Sequence, residues 1–149
     1  PILCGDLLIL HFDGIDVQYL VALDKATGKT VWKTDRSTEF GNLDGDLRKA
    51  YATPTLITAA GRQQLVSPGA KAAMAYDPNS GAELWKIRYD GFSNVARPLF
   101  SQGLVLLGPQ PKPLFQRPGH FRLADIVLRR LGQAMIVQGG DQLGGFRQG

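Results

Sequence analysis

An all-β chain of repeated four-stranded antiparallel sheets is predicted by three observations. Short apolar runs, broken by Gly, Asp, Asn or Pro, recur through residues 1–107, and such punctuation marks strands and turns. Residues 21–33 return at 74–86, so that Asp24, Gly28, Trp32 and Lys33 map onto Asp77, Gly81, Trp85 and Lys86 at a constant offset of 53. Pro1 to Trp32 and Pro54 to Trp85 span the same 31-residue interval, so the whole unit is repeated and not just its end.

The elements follow in order. Residues 2–4 and 7–11 are apolar runs split by a turn at Cys4-Gly5-Asp6. Asp13-Gly14 supplies a hairpin turn, residues 18–23 a third strand and residues 30–34 a fourth. The turn from Asp24 to Gly28 separates the last two; an Asp there accepts backbone N–H bonds and a Gly is free to take positive φ. Copy two has strands at 54–58, 64–67, 72–76 and 83–87, with turns at Ala60-Gly61, Pro68-Gly69 and from Asp77 to Gly81. The expected division is a blade at 1–35, a long loop at 36–53, a blade at 54–88 and a half blade at 98–107.

After Pro98 the pattern stops. The third Asp, Gly and Trp should fall at 121, 125 and 129, where the chain has Phe121, Asp125 and Arg129. Residues 108–149 form an atypical basic tail, irregular or helical, and are expected not to be the natural continuation of the blade, as after a truncated or shifted reading frame. Leu123, Ile126, Val127, Leu131 and Met135 lie near helical spacing, which suggests a basic amphipathic helix.

Composition narrows the function classes. The chain has 149 residues and 44% apolar content, enough for a real core. Its net charge of +4 is not spread evenly: residues 1–107 carry eleven basic and eleven acidic side chains, and the tail carries six against two. The repeat region has no basic stripe interleaved with aromatics, which argues against nucleic acid as a partner. No run of 18 apolar residues offers a transmembrane helix. The single cysteine, Cys4, cannot close an intramolecular disulfide, and Pro1 in place of a methionine suggests a missing start.

Candidate chemistry is sparse. His11 and His120 have no metal-ligating neighbours at useful spacing, and Ser67 and Ser80 lack a nucleophile-elbow context. Asp44 and Asp46, in the long loop, lack the ligand pattern and terminal Glu of an EF-hand and read as a solvated turn. No catalytic, cofactor-binding or metal residue is assigned. The assigned positions are structural: Asp24, Gly28, Asp77 and Gly81 shape turns, and Trp32 and Trp85 place large amphipathic rings on outer strands, suited to joining one sheet to the next.

Four-stranded sheets repeating every 40 to 50 residues fit a β-propeller, here a partial one. Ala-Leu-Asp-x-x-Thr-Gly-x-x-x-Trp (Ala22 to Trp32) and Ala-Tyr-Asp-x-x-Ser-Gly-x-x-x-Trp (Ala75 to Trp85) resemble the tryptophan-docking repeats of the PQQ-like, quinoprotein alcohol dehydrogenase-like β-propeller superfamily. That resemblance implies an extracytoplasmic or periplasmic setting and one of two roles. The first is a non-catalytic scaffold that binds a protein partner or the remaining blades of its own propeller, as in the lipoprotein of the outer-membrane barrel-assembly machinery. The alternative is a fragment of a dehydrogenase that holds PQQ and calcium in blades outside this stretch. The dehydrogenases use a vicinal cysteine pair, which one cysteine cannot supply. A third reading makes the basic tail a helix that docks on a partner or a membrane.

Overall fold

Strand alternation and turn chemistry produce three antiparallel meanders in a computed structural model of the protein, which describes residues 1–101 and 103–108 and the backbone of residues 127–130. The first sheet has the order β1-β2-β3-β4, formed by Ile2–Cys4, Leu7–Asp13, Gln18–Asp24 and Thr30–Asp35. The second repeats that order with β5 Thr55–Ala59, β6 Arg62–Pro68, β7 Ala72–Tyr76 and β8 Glu83–Arg88. Repetition extends to backbone irregularity. A register shift lies between Ala22 and Leu23 where β3 meets β4, and another between Ala75 and Tyr76 where β7 meets β8. Each bulge lets the following turn re-aim the outer strand so that its tryptophan faces the next sheet.

The third sheet departs from the sequence reading. β9 Leu99–Ser101 and β10 Leu104–Leu107 form the expected half blade, and β11 Val127–Arg130 adds to it antiparallel to β10, from Leu104↔Arg130 to Leu107↔Val127. Helical spacing around Val127 is therefore overridden at these four residues. An apolar run this short carries no decisive period, and the open edge of β10 offers backbone groups that a strand satisfies and a helix does not. The remaining positions of the suggested helix, Leu123, Ile126, Leu131 and Met135, lie outside the described residues, as do the other tail readings.

The cores lie between sheets rather than within them. Ile9, Leu20, Ala22 and Trp32 of the first sheet pack with Leu65, Ala72, Met74 and Tyr76 of the second. On the other side of the second sheet, Ile57, Val66, Ala73, Ala75 and Ile87 meet Val105 and Leu107 of the third. A sheet covered on both faces needs buried residues at every position of its central strands, and β7, Ala-Ala-Met-Ala-Tyr, is buried throughout. Three alanines there let the neighbouring sheets approach closely.

Strand direction sorts the connections into two ends. The hairpins at 14–17 and 69–71 and the inter-sheet segments 36–54 and 89–98 share one end, while the turns at 24–29 and 77–82 lie at the other. The inter-sheet segments are tied together at their end. Tyr51 donates its N–H to the Asn94 carbonyl at 2.7 Å, Ser93 to Lys49 at 2.8 Å, and Ala50 to Asp13 at 3.3 Å. A short 3-10 turn, Gly45–Arg48, is capped by the Asp44 carboxylate, and Asp46 pairs with Lys49 at 2.7 Å. Among the described residues, no helix is long and apolar enough to cross a membrane.

Candidate functional site

The repeated turn is built from its Asp outward. Asp77 Oδ1 accepts N–H bonds from Asn79 and Ser80, and Gly81 N–H closes the turn on the Asp77 carbonyl at 2.8 Å. Asp24 does the same for Ala26 and Thr27, with Gly28 N–H on the Asp24 carbonyl at 2.8 Å. The Thr27 hydroxyl and backbone donors hold the Asp24 carboxyl below its ordinary pKa. Gly81 and Gly28 share a left-handed conformation, at φ +74° and +72°.

Their surroundings differ. Trp32, 8% exposed, donates its indole N–H to the Pro78 carbonyl at 3.0 Å, and the Thr34 hydroxyl donates to the Gly81 carbonyl at 2.9 Å. A Cβ on Gly81 would stand 2.5 Å from Trp32 Cε3, whereas one on Gly28 would meet nothing within 4 Å. Trp32 thus lies on the turn of the following sheet. Trp85, only half-buried, donates instead to Gln64 Oε1 of its own sheet at 2.7 Å and packs against the core shared with the third sheet. Replacing Trp32 by Phe keeps most of the ring but strands the Pro78 carbonyl. We expect a loss of about 1–3 kcal/mol in urea denaturation.

A buried charge pair crosses the same junction, and nothing in the spacing of the sequence announces it. Arg36 follows β4 directly, and its guanidinium grips the Asp13 carboxylate at the end of β2, with Nε to Oδ1 at 2.5 Å and Nη2 to Oδ2 at 2.8 Å. Both side chains are 1% exposed. Arg36 also donates to the Ser67 hydroxyl at 2.8 Å and the Ser67 carbonyl at 3.3 Å, which ties the first sheet to the second. Burial opposes the charge on Arg36, but Asp13 more than offsets it and raises the guanidinium pKa. Burial raises the pKa of the Tyr76 hydroxyl, and the neighbouring Arg36 guanidinium partly offsets that rise. Nearby, Tyr89 and Asn94 converge on the Gly69 carbonyl, at 2.7 and 2.6 Å, and pin the 89–98 segment to the second sheet.

His11 sits at the edge of this cluster, with Nδ1 3.4 Å from Asp13 Oδ2. Burial lowers its pKa, Asp13 pulls it up, and Arg36 pushes it down, for a net depression below 6.5. The folded state therefore binds the proton more weakly than the unfolded chain, so stability is full above pH 6.5 and falls as the pH drops through 6.5 towards the folded-state pKa. His11→Gln is expected to flatten that part of a stability-versus-pH curve.

Among the described residues, no group of three His, Cys, Asp or Glu side chains is placed to hold a metal ion. The single cysteine cannot form the vicinal disulfide of a quinoprotein. Ser67 is spent on Arg36, the Ser80 hydroxyl accepts the Ala82 N–H, and His120 lies outside the described residues. A cleft of about 250 Å³ is lined by Thr38, Glu39, Lys71, Lys86, Arg88 and Tyr89. Two of its cations are already engaged, Lys71 with Asp90 at 2.7 Å and Lys86 with Ser37 at 2.6 Å.

What stands out on the surface is apolar. Phe12, Ile15, Val17, Tyr51 and Val95 are 41–61% exposed, and all lie at the end that carries the inter-sheet segments. Phe12 stacks on Tyr19 at 4.6 Å, and Lys33 Nζ sits 4.1 Å from the Tyr19 ring centre. Backbone bonds from Tyr51 to Asn94 and from Ser93 to Lys49 join the two segments and leave the side chains of Tyr51 and Val95 exposed.

Comparison with known proteins agrees with this architecture. Residues 16–114 match the model of the PQQ-type repeat family described as outer membrane protein assembly factor BamB. Among solved structures, the chain is similar to the crystal structure of BamB from Moraxella catarrhalis, with a TM-score of 0.55 and 17% identity over 90% of this chain. At that identity the likeness is one of fold. The chain spans 38% of the length of that protein. Nothing among curated proteins matches. The family match, the repeated Asp–Gly turns and the stacked antiparallel sheets together place this chain in the BamB family of PQQ-like β-propellers.

Proposed function

We propose that the chain is part of a non-catalytic β-propeller that acts as a protein-binding scaffold in an extracytoplasmic compartment, in the manner of an outer-membrane assembly factor. The observation that carries this reading is the loop end, where Ile15, Val17, Tyr51 and Val95 stay exposed, with the Val17 carbonyl accepting from Gly14 N–H and the Tyr51 N–H donating to the Asn94 carbonyl to order the backbone beside them. Apolar side chains presented on a pre-ordered surface lose little entropy on binding and gain from desolvation. Family membership supports the same class of role.

The test places a photo-cross-linking residue at Ile15, Tyr51 or Val95, with Lys29 at the opposite end as control, and adds purified outer-membrane barrel-assembly machinery. Cross-links from the loop end and none from Lys29 are expected. Equal labelling from both ends, or none at all, would overturn the proposal. The quinoprotein alternative has its own measurement, dye-linked alcohol oxidation after addition of PQQ and calcium, and activity there would displace the scaffold reading.

A further inference from the structure

The cleft beside Arg88 carries charge that the repeat does not require. Lys86 and Arg88 alternate along β8 and project from one face of it, while Ile87 between them packs towards the third sheet. Lys71 joins them from the hairpin that precedes β7, and the inter-sheet segment contributes Thr38, Glu39 and Leu43 to a volume of about 250 Å³. By the 53-residue offset, Lys71 and Arg88 stand where the first sheet has Gln18 and Asp35. Packing of one sheet on the next therefore calls for neither cation.

The donors of this cleft are not used up inside the protein. Arg88 is exposed, and among the described residues its guanidinium makes no hydrogen bond or ion pair. Lys71 Nζ donates to Asp90 at 2.7 Å, and Lys86 Nζ donates to the Ser37 carbonyl and hydroxyl at 2.9 and 2.6 Å, so each ammonium keeps at least one of its three protons free. Asp90 is 69% exposed, and water screens its pair with Lys71. Lys71 also holds a left-handed backbone, φ +63°, where glycine or asparagine is the unstrained choice. In the wall of the cleft the Thr38 hydroxyl is buried without a hydrogen-bond partner, an unfavourable state that an acceptor relieves.

We infer that this cleft binds a phosphate monoester, with Lys71, Lys86 and Arg88 on the phosphate oxygens, Thr38 as a further donor and Leu43 against the esterified group. Charge selects this class. Three cations set against the Glu39 carboxylate leave two positive charges to be matched, and a monoester brings close to two negative charges and three acceptor oxygens, where a carboxylate brings one charge and two oxygens. A planar guanidinium with two ammonium groups is also the donor set that such an anion pairs with best. The source is either a soluble ester or the headgroup of a phosphatidic acid, which present the same group.

This inference does not rest on the scaffold reading, because cross-links from Ile15, Tyr51 and Val95 and phosphate binding report different residues. The test titrates the full chain with glycerol 3-phosphate and follows backbone amide shifts by NMR. Saturable shifts are expected at Thr38, Lys71, Lys86 and Arg88, with binding about tenfold weaker in Arg88→Gln. Lys71→Gly is expected to bind about tenfold more weakly while its thermal midpoint holds or rises, since glycine relieves the left-handed strain. Glu39→Gln is expected to tighten binding about threefold, and Lys29→Gln at the opposite end to leave it unchanged. Shifts confined to other residues, or binding unchanged in Arg88→Gln, would overturn the site. Acetate bound as tightly as the ester would overturn the ligand class. Co-sedimentation with phosphatidylcholine vesicles, with and without phosphatidic acid, separates the sources. Binding to the acidic vesicles that Arg88→Gln abolishes assigns the lipid headgroup, and glycerol 3-phosphate binding without Arg88-dependent vesicle binding assigns a soluble ester.

Discussion

Gly81→Ala is expected to destabilise the protein by about 2–5 kcal/mol, while Gly28→Ala at the matching turn costs about 1–2 kcal/mol. Both residues sit near φ +73°, so a side chain pays the same left-handed penalty at either site. Only at Gly81 does the new methyl also meet the Trp32 ring, at 2.5 and 2.8 Å, and the Thr34 hydroxyl at 2.5 Å. Neither neighbour can swing aside, because the ring is buried and both donate to carbonyls of the same turn. Urea denaturation of the two variants reads the difference directly. Equal losses would mean that the Trp32 contact contributes nothing beyond turn conformation.

Asp13→Ala is expected to cost about 3–5 kcal/mol, because it leaves the Arg36 guanidinium buried without its carboxylate. The cost belongs to the stranded charge more than to the pair. Asp13→Leu combined with Arg36→Met is therefore expected to recover most of the stability, since two apolar side chains need no solvation. A double variant as unstable as Asp13→Ala alone would show instead that the hydrogen bonds to Ser67 hold the junction. Thermal unfolding of the three proteins distinguishes these outcomes.

Legibility in the sequence followed the range of the interaction. Strands of the first two sheets were readable to within a residue or two, because Gly5, Asp24, Gly28, Asp77 and Gly81 mark turns through contacts with their own neighbours. The asymmetry between Gly28 and Gly81 was not readable, since the two lie in matching motifs and differ only in what a distant strand brings to them. Arg36 and Asp13 are 23 residues apart and look like ordinary surface charges until β2 and the end of β4 come together. Likewise, Val127 fell in a helical spacing with Leu123 and Leu131, yet Val127–Arg130 pairs as a strand with the edge that β10 offers.

By itself the sequence determined the repeat, the order of the strands and the chemistry of each turn, all of which rest on near-neighbour backbone geometry and the period of apolar residues. Tertiary structure alone decided which of the two matching turns is filled, that Arg36 and Asp13 form a buried ion pair and which apolar side chains stay in water. Those outcomes depend on desolvation and packing between sheets. Such terms come from groups tens of residues apart, and no local window contains both partners.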